Sequence, residues 1–116
     1  MRTIAFIAML IITLNCHAEE PFLVYGVGVQ SCGQYIEQRR TPDTTYNALI
    51  ATWFFGFASG HNFFSKRPKL TQRMDAETIL VYLDKECRDN PLSSVGVGAI
   101  NLIKTYEKEL RVPKKP

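Results

Sequence analysis

The chain has 116 residues. It contains 14 lysine and arginine residues and 11 aspartate and glutamate residues, for a formal net charge of +3 at pH 7. This length accommodates one domain, and a mixed charge balance lacks the concentrated basic field that nucleic-acid binding uses. We therefore expect no nucleic-acid partner. One short basic cluster is interpreted as a solvated loop, with an acidic partner as the alternative; it consists of Lys66, Arg67, Lys69 and Arg73.

The first eighteen residues have the pattern of a secretory signal peptide. Arg2 supplies a positive charge, an apolar run extends from Ile4 to Leu14, and Cys16-His17-Ala18 ends in the small-x-small pattern that a signal peptidase reads. Residues 1–18 are therefore predicted to be removed, which leaves an exported domain of residues 19–116. A lipoprotein anchored at Cys16 is the less favoured alternative, because the residues before this cysteine fit the lipidation motif poorly.

Two cysteines, Cys32 and Cys87, remain after the predicted cleavage. An even pair of cysteines in a small exported domain predicts a disulfide, since the compartment is oxidising. A domain of this size builds only a modest core, so a covalent link adds useful stability. Two buried free thiols are the alternative interpretation.

The first half of the mature chain is predicted to form an extended arm and two helices. Apolar residues alternate within Pro21–Gln30, which indicates an arm or a strand. Ser31 is a favourable N-cap for a short helix from Cys32 to about Arg40. Asp43 can cap a longer helix that runs to about Phe64, and the density of apolar residues in it predicts a central, mostly buried helix.

Two further helices complete the predicted fold. The third begins near Asp75 and carries Cys87 on its apolar side. Asn90 and Pro91 are expected to start the fourth, as N-cap and first helical residue. The apolar stripe of the fourth helix is Leu92, Val95, Ala99, Leu102, Tyr106 and Leu110. The sequence therefore predicts an all-α fold, a small four-helix bundle with one disulfide and an extended N-terminal arm.

The long second helix raises two further points. An uncharged stretch of about 20 residues would be long enough to span a bilayer, but polar residues dilute it, so no transmembrane segment is expected after signal cleavage. Gly56 and Gly60 would let another helix approach closely, within the domain or across a dimer. Gly96 and Gly98 of the fourth helix are candidates to pack against them.

No catalytic constellation is recognisable in the sequence. His61 is the single histidine of the mature chain and is expected to help cap the end of its helix rather than act as a base. A metal site would need several converging ligands. Asp84 is expected to pair with Arg88 one helical turn away. We therefore expect a non-enzymatic protein without cofactor or metal. A small hydrolase would need a nucleophile and a base, and the sequence offers no such pair.

Three segments resemble the HdeA-like group of small exported bacterial proteins. They are Ser31-Cys32-Gly33, the aromatic stretch from Trp53 to Asn62, and the step Cys87-x-x-Asn90-Pro91-Leu92. The resemblance extends from about residue 31 to residue 106, and it supports the all-α fold and a Cys32–Cys87 bridge. Many members of the group have no assigned role. The chain is also similar, more loosely, to disulfide-bonded periplasmic immunity proteins.

The understood members of the HdeA-like group are acid-activated periplasmic chaperones, dimers at neutral pH that expose apolar surface in acid. Protonation of carboxylates raises the net positive charge, so self-repulsion could open a small domain while a disulfide limits the opening. The candidate protein-binding residues are Trp53, Phe54, Phe57, Phe63 and Phe64.

The resemblance implies a non-enzymatic periplasmic protein-binding domain, with acid-stress chaperone activity as its most specific version. The alternative is an immunity or inhibitor protein that neutralises a secreted toxin or enzyme. The expected partner is a client or partner protein, and a homodimer is left open.

Overall fold

The computed structural model describes residues 23–65, residue 70 and residues 74–111. In this part of the chain a 3₁₀ helix is followed by four α-helices: Gly26–Val29, then α1 (Cys32–Arg39), α2 (Thr44–Phe64), α3 (Ala76–Asp89) and α4 (Val95–Arg111). The described residues form no β-strand, and the all-α prediction is confirmed. The predicted signal peptide and the basic cluster, Lys66, Arg67, Lys69 and Arg73, lie outside the described residues.

The predicted starts of α1, α2 and α3 are confirmed by their caps. The Ser31 hydroxyl accepts a hydrogen bond from the Gln34 N–H at 3.2 Å, and the Gln34 side chain accepts one from the Ser31 N–H, a reciprocal capping box. Asp43 accepts from two N–H groups in the first turn of α2. Asp75 accepts from the first turn of α3, and this bond lowers the pKa of its carboxyl group.

The predicted start of α4 at Pro91 is wrong, because the helix begins at Val95. Asn90 ends α3 instead, and its N–H donates to the Glu86 carbonyl at 2.9 Å. The residues that follow make a turn, and Leu92 is fully exposed rather than part of the apolar stripe of α4.

Backbone pairing with the segment before α1 explains this difference. The Cys32 N–H donates to the Ser93 carbonyl at 2.9 Å, and the Val95 N–H donates to the Gln30 carbonyl at 3.0 Å. Ser31 and Ser94 thereby form a short antiparallel bridge. A helix that started at residue 91 would need the same backbone groups, so the bridge delays α4 by a turn.

The predicted N-terminal arm is a strap of residues 23–30 that contains the 3₁₀ helix and no strand. It packs across α2 and α4. The Trp53 indole N–H donates to the Tyr25 carbonyl at 2.8 Å. Gly28 lies so close to the indole ring that a Cβ atom there would overlap it, and a Cβ at Gly96 would lie 3.0 Å from the Gly28 carbonyl oxygen. Because glycine has no Cβ atom, these two positions let the strap lie close against Trp53 of α2 and against α4.

The core lies between the helices and includes the predicted disulfide. Cys32 of α1 and Cys87 of α3 are bonded, and both are essentially inaccessible to solvent. The largest fully buried side chains belong to the same core cluster as these cysteines: Tyr35, Ile50, Phe54, Leu70, Ile79, Leu83 and Val95. The amphipathic helices α1, α3 and α4 each bury one side, as their apolar spacing predicts.

A part-buried ion pair also joins α1 to α3. Asp84 contacts Arg39 rather than the predicted Arg88, through a bidentate pair of hydrogen bonds of 2.8 and 2.9 Å. The Tyr35 hydroxyl donates to the Leu80 carbonyl and also lies beside the Asp84 carboxylate. Asp84 therefore pairs with an arginine of the neighbouring helix α1 rather than with the arginine one turn away in α3.

Among the described residues, no helix combines the length and the hydropathy that a bilayer-spanning segment requires.

Candidate protein-binding surface

The side of α2 that points away from the core is uncharged and open to solvent. The core side carries Ile50, Phe54 and Ala58. Because successive residues of a helix are offset by roughly 100°, positions spaced by three and four residues on the opposite side form a second stripe. We call this stripe the outer face of α2; it consists of Leu49, Thr52, Gly56, Ser59 and Phe63, all of them exposed.

Two side chains dominate the outer face. Leu49 is 51 % exposed and Phe63 is 82 % exposed. Thr52, Gly56 and Ser59 lie between them along the helix. The Ser59 hydroxyl donates to the Phe55 carbonyl at 2.6 Å, so it is satisfied within its own helix. Large apolar groups at both ends of a small, uncharged centre are chemically suited to contact with another protein.

The outer face carries no charge. No lysine, arginine, aspartate or glutamate occurs between Thr44 and Phe64, and His61 is the one histidine of α2. His61 lies nearer the core side, where its Nε2 atom is 3.1 Å from Glu107 Oε1 of α4. His61 lies in the last turn of α2, as the sequence predicts, and its ring contacts α4; its help in capping the helix end stays a prediction.

The five aromatic residues predicted to bind protein fall into three environments. Phe54 is fully buried in the core. Trp53 and Phe57 stack with ring centroids 5.4 Å apart and are half-buried beside the strap. Phe63 and Phe64 are 82 % and 86 % exposed at the end of α2, edge to face with centroids 5.1 Å apart. In the folded domain, Phe63 and Phe64 are thus the accessible members of the set.

The glycines of α2 do not pack against those of α4. A Cβ atom at Gly56 or Gly60 would meet nothing within 4 Å, whereas one at Gly98 would lie 3.0 Å from the Leu83 side chain. Gly96 packs against the strap. The expectation of glycine packing within the domain is therefore wrong, and the space beside Gly56 is open.

Leu49 was not predicted as a site residue, although a signal for it exists in the sequence. Leu49, Gly56 and Phe63 are spaced by seven residues, which places them on one side of a helix. The spacing alone does not say whether that side faces the core or the solvent, because α2 is apolar nearly all round.

The described part of the chain brings together no group of three or more histidine, cysteine, aspartate or glutamate side chains that could hold a metal ion. The large exposed side chains of α2 are apolar and aromatic: Leu49, Phe63 and Phe64.

Comparison of the chain with protein-family models, with curated proteins and with solved structures finds no significant match.

Proposed function

We propose that this chain is a non-enzymatic, periplasmic protein-binding domain, and that acid-stress chaperone activity is its most specific form. The observation that carries the proposal is the exposure of Leu49 and Phe63 on the uncharged outer face of α2, with the exposed Phe64 beside Phe63. Exposed aromatic side chains on an uncharged helix are suited to binding the apolar segments of other proteins. The resemblance to the HdeA-like group supports the chaperone version.

A carboxylate between α1 and α3 supports a response to acid. The part-buried Asp84 is ionised and paired with Arg39 in the folded protein, and this pairing lowers the pKa of Asp84 against the opposing effect of its burial. Protonation of Asp84 would remove the pair and leave the Arg39 charge without its partner. The disulfide between the same two helices would limit their separation.

Light scattering from an aggregating test client measures the proposed activity. The oxidised mature chain should suppress client aggregation at about pH 3, and the double variant Phe63→Ser/Phe64→Ser should suppress it less. Leu92→Ser is the matched control, because it removes an equally exposed apolar side chain outside α2. Clients that aggregate unchanged in the presence of the wild-type protein would contradict the chaperone version, and a fully active double variant would contradict the assigned surface.

A second candidate is an immunity or inhibitor protein that binds one folded toxin or enzyme. One observation favours it: the outer face of α2 is exposed in the folded, disulfide-bonded domain, where Asp84 is still paired, so binding there needs no opening. Calorimetry at pH 7 with a toxin encoded beside the gene tests this candidate. Tight binding that Phe63→Ser weakens is expected, and no heat of binding would contradict it.

A further inference from the structure

We propose that the end of the bundle where α2 and α4 finish binds the surface of an anionic lipid bilayer, with Phe63 and Phe64 entering the headgroup region. The ligand is the negatively charged phospholipid headgroup together with the apolar boundary below it. This inference goes beyond the proposed function, which concerns the binding of proteins. Three features of the molecule support it: the directions of the helices, the distribution of charge along the chain and the exposure of one aromatic pair.

α2 and α4 run in the same direction and finish at the same end of the molecule. Gly28 of the strap lies against Trp53 of α2 and Gly96 of α4, which places these two residues at one level. Further along both helices, His61 Nε2 is 3.1 Å from Glu107 Oε1. The last turns of the two helices are therefore neighbours. We call the region that they form, residues 61–64 and 104–111, the distal end.

α3 begins at the distal end as well. Glu86 Oε1 of α3 accepts a hydrogen bond from the Asn101 side chain of α4 at 2.7 Å. The Tyr82 hydroxyl, earlier in α3, is 3.3 Å from Thr105 Oγ1, later in α4. The two helices are thus antiparallel, and the connection from α2 to α3 starts and finishes at the distal end.

The positive charge of the predicted mature chain is concentrated in the segments that contain these helix ends. Residues 61–77 and 104–116 together have nine lysine and arginine residues and four aspartate and glutamate residues, an excess of five positive charges. The rest of residues 19–116 has four and seven, an excess of three negative charges. Among the described residues, Lys104 and Lys108 are exposed at the distal end. Such an asymmetry draws one end of a protein towards a negatively charged surface.

Phe63 and Phe64 supply apolar contact at the same end. They are 82 % and 86 % exposed, their ring centroids are 5.1 Å apart, and they lie in the last turn of α2. No aspartate or glutamate occurs in the sequence between Asp43 and Asp75. Aromatic rings with basic neighbours suit a bilayer surface, because the rings enter the boundary below the headgroups while the positive charges stay with the phosphates.

A lipid surface matches both features of the distal end. A soluble acidic partner would be attracted by the charge but offers no apolar layer to two adjacent phenylalanine rings. An uncharged apolar partner would gain nothing from Lys104 and Lys108. An anionic bilayer presents negative phosphates directly above an apolar interior, so it can contact the charges and the rings at once.

Co-sedimentation with lipid vesicles tests the inference. The oxidised mature chain should pellet with phosphatidylcholine vesicles that contain about 30 % phosphatidylglycerol, and should bind pure phosphatidylcholine at least about tenfold more weakly, because the attraction of several basic residues is lost. Salt at about 0.5 M should release most of the bound protein, since it screens these charges.

The aromatic contribution is measured with Phe63→Ser/Phe64→Ser. This double variant should bind the anionic vesicles at least about tenfold more weakly than the wild type, because it removes both apolar contacts. Leu92→Ser is the matched control. Leu92 is fully exposed between α3 and α4, at the end of the bundle away from Phe63 and Phe64, so its replacement should leave vesicle binding unchanged.

The charge contribution is measured with Lys104→Glu/Lys108→Glu. Two charge reversals at the distal end should weaken binding to the anionic vesicles at least about tenfold. Arg40→Glu/Arg88→Glu is the matched control, because it changes the net charge equally at exposed positions outside the distal end. It should weaken binding by less than about threefold, since these side chains lie farther from the lipid.

Tryptophan emission locates the contact independently. The emission of Phe64→Trp should shift to shorter wavelength when anionic vesicles are added, because the new indole leaves water. The emission of Leu92→Trp should not change. A wild-type chain that stays in the supernatant with anionic vesicles overturns the inference, and so does binding that neither double variant at the distal end weakens. Equal binding to soluble polyglutamate, with no loss in Phe63→Ser/Phe64→Ser, would assign this end to acidic polymers and overturn it too.

The vesicle proposal and the chaperone version can fail separately, although both involve Phe63 and Phe64. Client aggregation is scored by light scattering without lipid, and lipid binding is scored by co-sedimentation without a client. A chain that suppresses client aggregation and ignores vesicles would overturn the lipid inference alone. A chain that binds vesicles and leaves every client unprotected would overturn the chaperone version alone.

Discussion

Arg39 and Asp84 form a bidentate ion pair between α1 and α3. Arg39 Nε and Nη2 donate to the two carboxylate oxygens of Asp84 at 2.9 and 2.8 Å, and the side chains are 19 % and 17 % exposed. A planar guanidinium that donates in parallel to both oxygens fixes the relative rotation of the two helices as well as their distance. Burial raises the pKa of Asp84, but the bonds from Arg39, the neighbouring Tyr35 hydroxyl and the Arg39 charge lower it further than burial raises it.

Replacement of Asp84 by asparagine is expected to lower the free energy of unfolding at pH 7 by about 1–3 kcal/mol, because the Arg39 charge stays part-buried without a carboxylate. Since the pKa of Asp84 is lower in the folded than in the unfolded protein, its contribution is complete above about pH 4 and is lost as the pH falls through the folded pKa. Urea unfolding from pH 7 to pH 2 should therefore show a steeper acid loss for the wild type than for Asp84→Asn.

The control for this prediction is Asp89→Asn. Asp89 pairs with Lys85 on the surface, where the two side chains are 56 % and 74 % exposed. An ion pair in such an environment contributes little, so the change in unfolding free energy should stay below about 0.5 kcal/mol. Equal losses in the two variants would show that the Arg39 pair contributes no more than a surface pair.

At the scale of elements, the strap depends on one glycine. A Cβ atom at Gly28 would overlap the Trp53 ring and the Val24 side chain, so Gly28→Ala has to move the strap away from α2. We expect a loss of about 1–3 kcal/mol in unfolding free energy, the usual cost of overpacking. Trp53 is the single tryptophan of the chain, so its emission should shift to longer wavelength as the indole becomes more exposed.

Gly33→Ala is the matched control for the strap. A Cβ at Gly33 would have the Ser31 hydroxyl oxygen, 4.0 Å away, as its nearest neighbour. Its emission spectrum should equal that of the wild type, and its stability should stay the same or rise slightly, since alanine favours a helix. An unchanged spectrum in Gly28→Ala as well would mean that the strap does not cover Trp53.

The elements that the sequence predicts well are those whose signals are local. Ser31, Asp43 and Asp75 cap their helices through side-chain bonds to residues two or three positions away, so each start can be read from a short stretch of sequence. The start of α4 could not be read in this way. It depends on backbone bonds between Val95 and Gln30, which are far apart in the chain and close only in the fold.

The candidate surface was likewise predictable only where its signal is local. Aromatic density in α2 identifies Phe63 as an apolar residue of a long helix. Its exposure depends on which side of α2 meets α3 and the strap, and a helix that is apolar nearly all round carries no amphipathic signal to decide this. Leu49 was missed because the sequence does not show that its side of α2 faces the solvent.

At the scale of the whole molecule, the disulfide and the Arg39–Asp84 pair hold α1 against α3, and the strap holds α2 against α4. The bonded cysteines lie 55 positions apart and are buried, so the bond constrains more than half of the described chain. A structure of this size has a limited core, and its folded state should depend strongly on this one covalent link.

The double variant Cys32→Ala/Cys87→Ala tests this dependence, and alanine is chosen because it buries no hydroxyl group. Opening a loop of 55 residues should lower the free energy of unfolding by about 4 kcal/mol on the chain-entropy account, a large share of the roughly 5–15 kcal/mol typical of a domain. Urea unfolding of the oxidised wild type and of the variant measures the difference, with reduced wild type as the control for the side-chain change itself. If the fold needs the bond, it needs an oxidising compartment, as the proposed export supplies. If the variant is as stable as the oxidised wild type, the fold does not need the disulfide and gives no support to the proposed export.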